Sequence, residues 1–146
     1  MKKTLKELSI ILFLIALAMI GGNYYKKKTP SELWTLVNDY REQEGLTKLD
    51  TNHTLCEFAN TRAKEIMSDW SHDGWKEDKK YRKLFSSSGE NLAKWSETEN
   101  VGQAILGAWI NSPTHKKILR GDYEYGCIGY RFWGNTWYVT LEVAND

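Results

Sequence analysis

Two segments near the C-terminal end, Tyr123–Trp133 and Thr136–Val143, are dense in aromatic and β-branched residues, and only Gly134-Asn135 separates them. A two-residue connection of this kind is a hairpin signal, so the two segments read as antiparallel strands of a β-hairpin. Upstream, apolar residues recur at helical rather than alternating spacing. Helices first and strands last predict an α+β fold with an antiparallel sheet, not a parallel α/β fold. At 146 residues the chain has room for one domain.

The helical signals are local. Thr29-Pro30-Ser31-Glu32 reads as a capping box with proline at the first helical position, followed by Leu33, Val37 and Tyr40 on one face and a stop at Gly45. A second helix near Asp50 carries Leu55, Ala59, Ala63, Ile66 and Trp70 at helical spacing. Lys76 to Lys83 is a charged stretch, read as a solvated loop or short helix and alternatively as a contact for an anionic surface. Ser86-Ser87-Ser88-Gly89 reads as a loop and Glu90 to Trp95 as a strand. Ser96 with Glu99 forms a second capping box before a helix carrying Val101, Ile105, Ala108 and Trp109. That helix stops near Pro113, and a short helical turn spans His115 to Leu119.

The N-terminus has a different character. Lys2, Lys3 and Lys6 precede an apolar run from Leu8 to Ile20 broken only by Ser9. Thirteen residues of helix reach about 20 Å, short of a hydrocarbon core of about 30 Å. Residues 1–22 therefore read as a signal peptide for export or, extended through Tyr24 and Tyr25, as a short membrane anchor. Residues 23–29 are a short linker and residues 30–146 the folded domain. The expected location is outside the cell or on the outer face of the cytoplasmic membrane, with membrane contact only through an uncleaved N-terminal segment.

Composition removes several function classes. Lys and Arg number 20 against 19 Asp and Glu, without the basic excess of a nucleic-acid binder. Two cysteines, Cys56 and Cys127, exclude a four-cysteine zinc site and a disulfide-dense miniprotein. In an oxidising compartment they can pair; otherwise they are two buried thiols. No phosphate loop, dinucleotide fingerprint or calcium loop is present.

Chemistry must then rest on few residues. His53, beside Asn52 at a helix start, reads as a surface residue, and Asn52-His53-Thr54 fits a glycosylation sequon. His72 and His115 lie in loops or at element ends, with Glu90 between them in Gly89-Glu90-Asn91. Two imidazoles and a carboxylate can hold a divalent cation such as zinc, or Glu90 can act as a general base oriented by the histidines. Ser112 reads as a helix cap before Pro113, since no nucleophile elbow surrounds it.

These residues, taken in order, resemble a family. Leu36-Val37-Asn38-Asp39-Tyr40-Arg41 ends at Gly45-Leu46, and Leu49, Leu55, Ala59, Arg62-Ala63 and Ser71-His72 follow. Then come Gly89-Glu90-Asn91-Leu92, Trp109-Ile110-Asn111-Ser112-Pro113-Thr114-His115, Ile118-Leu119 and Gly126-Cys127-Ile128-Gly129. Over about residues 33–143 the chain resembles the CAP superfamily of cysteine-rich secretory, antigen 5 and pathogenesis-related proteins, also called the SCP domain. The Trp-x-x-Ser-Pro-x-His form resembles its bacterial branch.

The resemblance implies an α-β-α sandwich with a central antiparallel sheet. It implies a cleft of two histidines and two acids that binds divalent metal in some members. His72, Glu90 and His115 match three of these, and the second acid falls on Ser112. It also implies that Cys56 on a helix and Cys127 on a strand face each other and form a disulfide. Members have no uniform activity; lipid or sterol binding, proteolysis and extracellular interaction are all proposed. The expectation is an exported, non-enzymatic module that binds a ligand or partner at the cell envelope and requires no cofactor. A metal-dependent, peptidase-like hydrolase with Glu90 as base is the alternative. Lipid or sterol binding is a third reading, motivated by Trp133, Trp137, Tyr138 and the Lys76–Lys83 stretch.

Overall fold

The computed structural model describes residues 30–96 and 99–146. The signal or anchor at 1–22, the linker at 23–29 and the Thr29 cap lie outside the described residues. Among the described residues no helix is long and apolar enough to cross a membrane.

The elements follow the period changes. A 3-10 turn at Pro30–Glu32 leads into α1 (Leu33–Gln43), and β1 (Asp50–Thr51) precedes α2 (His53–Glu65). Short helices α3 (Asp73–Glu77) and α4 (Lys79–Arg82) occupy the charged stretch, then β2 (Ser87–Ser96) crosses the molecule. Helices α5 (Val101–Asn111) and α6 (Pro113–Leu119) follow, and β3 (Tyr125–Trp133) with β4 (Thr136–Asn145) forms the hairpin. Gly134 has φ +62° and no non-glycine residue described has positive φ. Positive φ at the first turn position only is what a type II′ turn needs.

The sheet order is β1-β3-β4-β2. The three long strands are antiparallel, and two-residue β1 adds itself parallel to β3. Alternation sends Val139, Leu141 and Val143 of β4 to one face, where α1 and α5 supply Leu33, Val37, Val101, Ile105 and Trp109 to the main core. The opposite residues, Tyr138, Thr140 and Glu142, face α2. The result is the expected three-layer α-β-α sandwich.

Local chemistry explains the ends. After α1, Gly45 takes φ +75°, and the amides of Gly45 and Leu46 donate to the carbonyls of Glu42 and Arg41, the paired bonds of a Schellman stop. Asn52 caps α2 by accepting the Leu55 amide at 3.1 Å. The helix lies so close to the sheet that a Cβ on Gly129 would fall on the main-chain carbonyl of Ala59. Across the same seam, Cys56 and Cys127 form a disulfide with Cα atoms 5.1 Å apart.

Several boundaries differ from the sequence expectation. Ser87, Ser88 and Gly89 are strand, not loop, because the long β4 pairs them with Asn145, Ala144 and Val143. Ser96 is likewise strand, opposite Thr136, so it caps nothing; α5 starts at Val101 behind Asn100. Asp50 belongs to β1, and α2 ends at Glu65, which leaves Trp70 outside the helical stripe and 48% exposed. Ser112 does hold the N-cap position of α6, but its hydroxyl lies 3.2 Å from the Thr114 hydroxyl and bonds no amide.

Candidate functional site

The site grows from a charge on the apolar face of α2. Arg62 lies on the same stripe as Leu55, Phe58, Ala59 and Ala63, and its side chain is 2% exposed. A buried guanidinium must spend its donors. Nε donates to Glu90 Oε2 at 2.8 Å, Nη2 to Glu90 Oε1 at 3.3 Å and the Ser71 carbonyl at 2.8 Å, and Nη1 to Glu65 Oε2 at 2.6 Å. Burial alone would weaken the cation, but its hydrogen bonds to Glu90 and Glu65 and the charges of Glu90 and Glu142 outweigh it and the net shift is upward. Glu90 is held from β2 with its side chain wholly buried, and Oε1 also meets His72 Nδ1 at 2.8 Å. His72 itself is 42% exposed and sits just ahead of α3.

A second buried acid, Glu142, stands directly opposite Glu90 in the β2–β4 register. Its carboxyl is buried against the Glu90 carboxylate and the Thr140 hydroxyl. Burial, followed by the charge of Glu90, pushes its pKa well up from the ordinary carboxyl value, against the pull of Arg62. One cation thus serves two acids, and Glu142 is the one shifted toward its neutral form.

The sign of the pH dependence follows. With the folded pKa above the unfolded one, Glu142 contributes its full share of stability below about pH 4.5, and that share declines as pH rises through the folded pKa. Glu142→Gln is expected to remove a decline that for one group cannot exceed about 1.4 kcal/mol per pH unit. Urea melts of both proteins from pH 4 upward check this: the curves should meet at the acid end and separate as pH rises, with the variant more stable. Parallel curves would show that Glu142 does not titrate this way.

His115 lies in α6, and Asn91 Nδ2 donates to its carbonyl at 3.0 Å. Its pKa is lowered by burial first and then by the charge of His72, so the two histidines are electrostatic neighbours and His115 is held toward its neutral form. His115 and Ser112 line a groove of about 340 Å³ that runs along β2, with Trp70, Lys94 and Ala108 among its walls.

The four residues read from the sequence therefore fall into two connected places. His72 and Glu90 are in direct contact, while Ser112 and His115 line the groove; Glu90 is behind the surface, not on it. Among the described residues no three His, Cys, Asp or Glu side chains converge as a metal set. Glu90 has both oxygens engaged by Arg62 and His72, so among the described residues it orients His72 rather than joining the two imidazoles as a third ligand. Sequence reasoning missed Arg62 and Glu142 as members of this site. The available signal was a charge at an inward position of an otherwise apolar stripe or strand.

Comparison with known proteins agrees with this architecture. The cysteine-rich secretory protein family, CAP, matches residues 34–143. An extracellular protein containing a SCP domain from Bacillus anthracis is similar at 22% identity and TM-score 0.64, over 79% of this chain and 39% of that one. A cysteine-rich secretory protein from Staphylococcus aureus is similar at 19% and 0.62, over 79% and 38%. An outer surface protein from Borrelia burgdorferi is similar at 22% and 0.60, over 82% and 96%. The chain thus spans well under half the length of the first two. No curated protein matches. With the family matched over most of the chain and the three-layer fold shared, the chain belongs to the cysteine-rich secretory protein (CAP) family.

Proposed function

We propose that this chain is an exported, non-enzymatic CAP module that binds a ligand or partner at the cell envelope or outside the cell. The observation that carries this reading is the state of Glu90. Its carboxylate is completely buried and bonded to Arg62 and His72, so it has no free oxygen to activate water or hold a metal. Ser112 in place of a second acid points the same way. Export is supported by the lysine-led apolar run at residues 1–22 and by the extracellular and outer-surface descriptions of the similar proteins.

The metal-dependent hydrolase is the competing class. Zinc titration by calorimetry at neutral pH, together with peptide and ester turnover, separates the two. The expected result is no heat of zinc binding and no turnover above buffer. Turnover that disappears in His72→Ala, or stoichiometric zinc binding, would overturn the binding-module reading. A lipid ligand has less support: Trp137 and Tyr138 are buried in the two cores, which leaves Trp133, 69% exposed at the hairpin tip, as the one accessible aromatic of the three.

A further inference from the structure

The groove beside His115 is also an open sheet edge. β2 pairs with β4 along its whole length, and among the described residues no strand pairs with its other side. The ladder fixes which main-chain groups point outward. Asn145 turns its carbonyl to β2, where the Ser86 amide meets it at 2.9 Å, and Glu124 turns its carbonyl to β1, where the Asp50 amide meets it at 2.8 Å. With an unbroken register, alternation then directs the odd-numbered residues of β2 to β4 and the even-numbered ones to the open edge. Leu92 obeys this: its carbonyl accepts a bond from Trp109 Nε1 at 3.0 Å, from α5 outside the sheet.

Two residues on, Lys94 presents its amide and carbonyl to the same edge, and no partner for either is found among the described residues. These groups face the groove. Trp70, edge-on to Tyr138, lines it on the α2 side of the sheet, and Ala108, Ser112 and His115 complete its lining. None of the lining residues is acidic. The Lys94 ammonium sits 5.3 Å above the Tyr138 ring and forms no ion pair among the described residues.

We propose that this groove takes an extended acidic peptide, which adds as a further strand beside β2. Its main chain pairs with the Leu92 amide and with the amide and carbonyl of Lys94, and one of its carboxylates lies beside the Lys94 ammonium. The proposal rests on the binding-module reading and names the class of ligand. Donors and acceptors at strand spacing match a peptide main chain, and the groove walls receive its alternate side chains above and below the sheet. A second copy of the chain is a poorer occupant, because two β2 edges laid antiparallel about this position set Lys94 against Lys94.

The probe is a library of linear random decapeptides displayed on phage and panned on the full chain. Acidic peptides are expected to be selected. In a synthetic selected peptide, N-methylation of alternate amides should weaken binding about tenfold in one register and little in the other. Lys94→Pro should weaken binding comparably, since it removes an amide that lies outside the β2–β4 ladder. Lys94→Ala should retain most of it and lose its salt dependence. If Lys94→Pro does not fold, the N-methyl series decides alone. Failure to select any peptide, or equal tolerance of N-methylation in both registers, would overturn the proposal. So would a dimer of the chain that selected peptides fail to dissociate. Hydrolysis of a bound peptide would instead overturn the non-enzymatic reading and leave strand addition standing.

Discussion

Arg62→Ala is expected to cost about 3–5 kcal/mol, a large share of the ~5–15 kcal/mol that holds a domain of this size folded. The reason is what remains after the truncation. The Glu90 side chain is completely buried, and Glu142 beside it is 1% exposed. Arg62 supplies the positive charge between them and also donates to Ser71 and Glu65. Without it the buried Glu90 carboxyl is left facing a second acid with its guanidinium partner gone, and only half-exposed His72 can approach. Arg62→Lys should rescue little, because a point charge cannot span Glu90, Glu65 and the Ser71 carbonyl together. Replacing Arg62, Glu90 and Glu142 jointly by leucine or methionine should recover most of the loss, since no buried charge is then unpaired. Urea unfolding of the three proteins measures these differences. A loss below about 1 kcal/mol for Arg62→Ala would match the strength of a surface ion pair and would remove the electrostatic account of this site.

The same residues show how far the sequence could be read. Period and turn chemistry are local, so the hairpin around Gly134-Asn135, the stop at Gly45 and the face Leu33-Val37-Tyr40 were legible from a few neighbouring residues. The ends of β2 were not. Ser87, Ser88, Gly89 and Ser96 have weak strand preference alone, and their conformation is imposed by pairing with β4 residues from Thr136 to Asn145, far away in sequence. The site divides in the same way. His72, Glu90 and His115 stood out by residue type and by the resemblance, but their roles depend on Arg62 and Glu142, which only the α2–sheet contact brings together. Arg41 makes the point again. It is buried at 1% exposure and donates to the carbonyls of Thr47, Leu119, Gly121 and Tyr123, with no carboxylate partner among the described residues. It reads in sequence as an ordinary helix cation. In the fold it ties α1 to the connection between α6 and β3.

Loss of the disulfide is expected to have an effect of similar size by a different route. Cys56 and Cys127 are 71 residues apart in sequence, so their bond closes a long loop in the unfolded chain. The chain-entropy account assigns such a loop about 4 kcal/mol. The folded state should lose little of its own packing, because α2 still rests on β3 through the contact of Ala59 with Gly129. Cys56→Ala/Cys127→Ala should therefore retain the native circular dichroism while its urea midpoint falls, and reducing agent should lower the midpoint of the parent protein but not of the variant. Alkylation of the unreduced parent should add no mass. Equal midpoints for oxidised and reduced parent would show that the bond contributes nothing to stability. A variant that loses near-ultraviolet signal would show that the bond acts on the folded α2–β3 seam rather than on the unfolded chain. The size of the loss also bears on location: a domain that depends on this bond reaches its full stability only where the thiols can be oxidised, which is the compartment that an export signal at residues 1–22 would deliver it to.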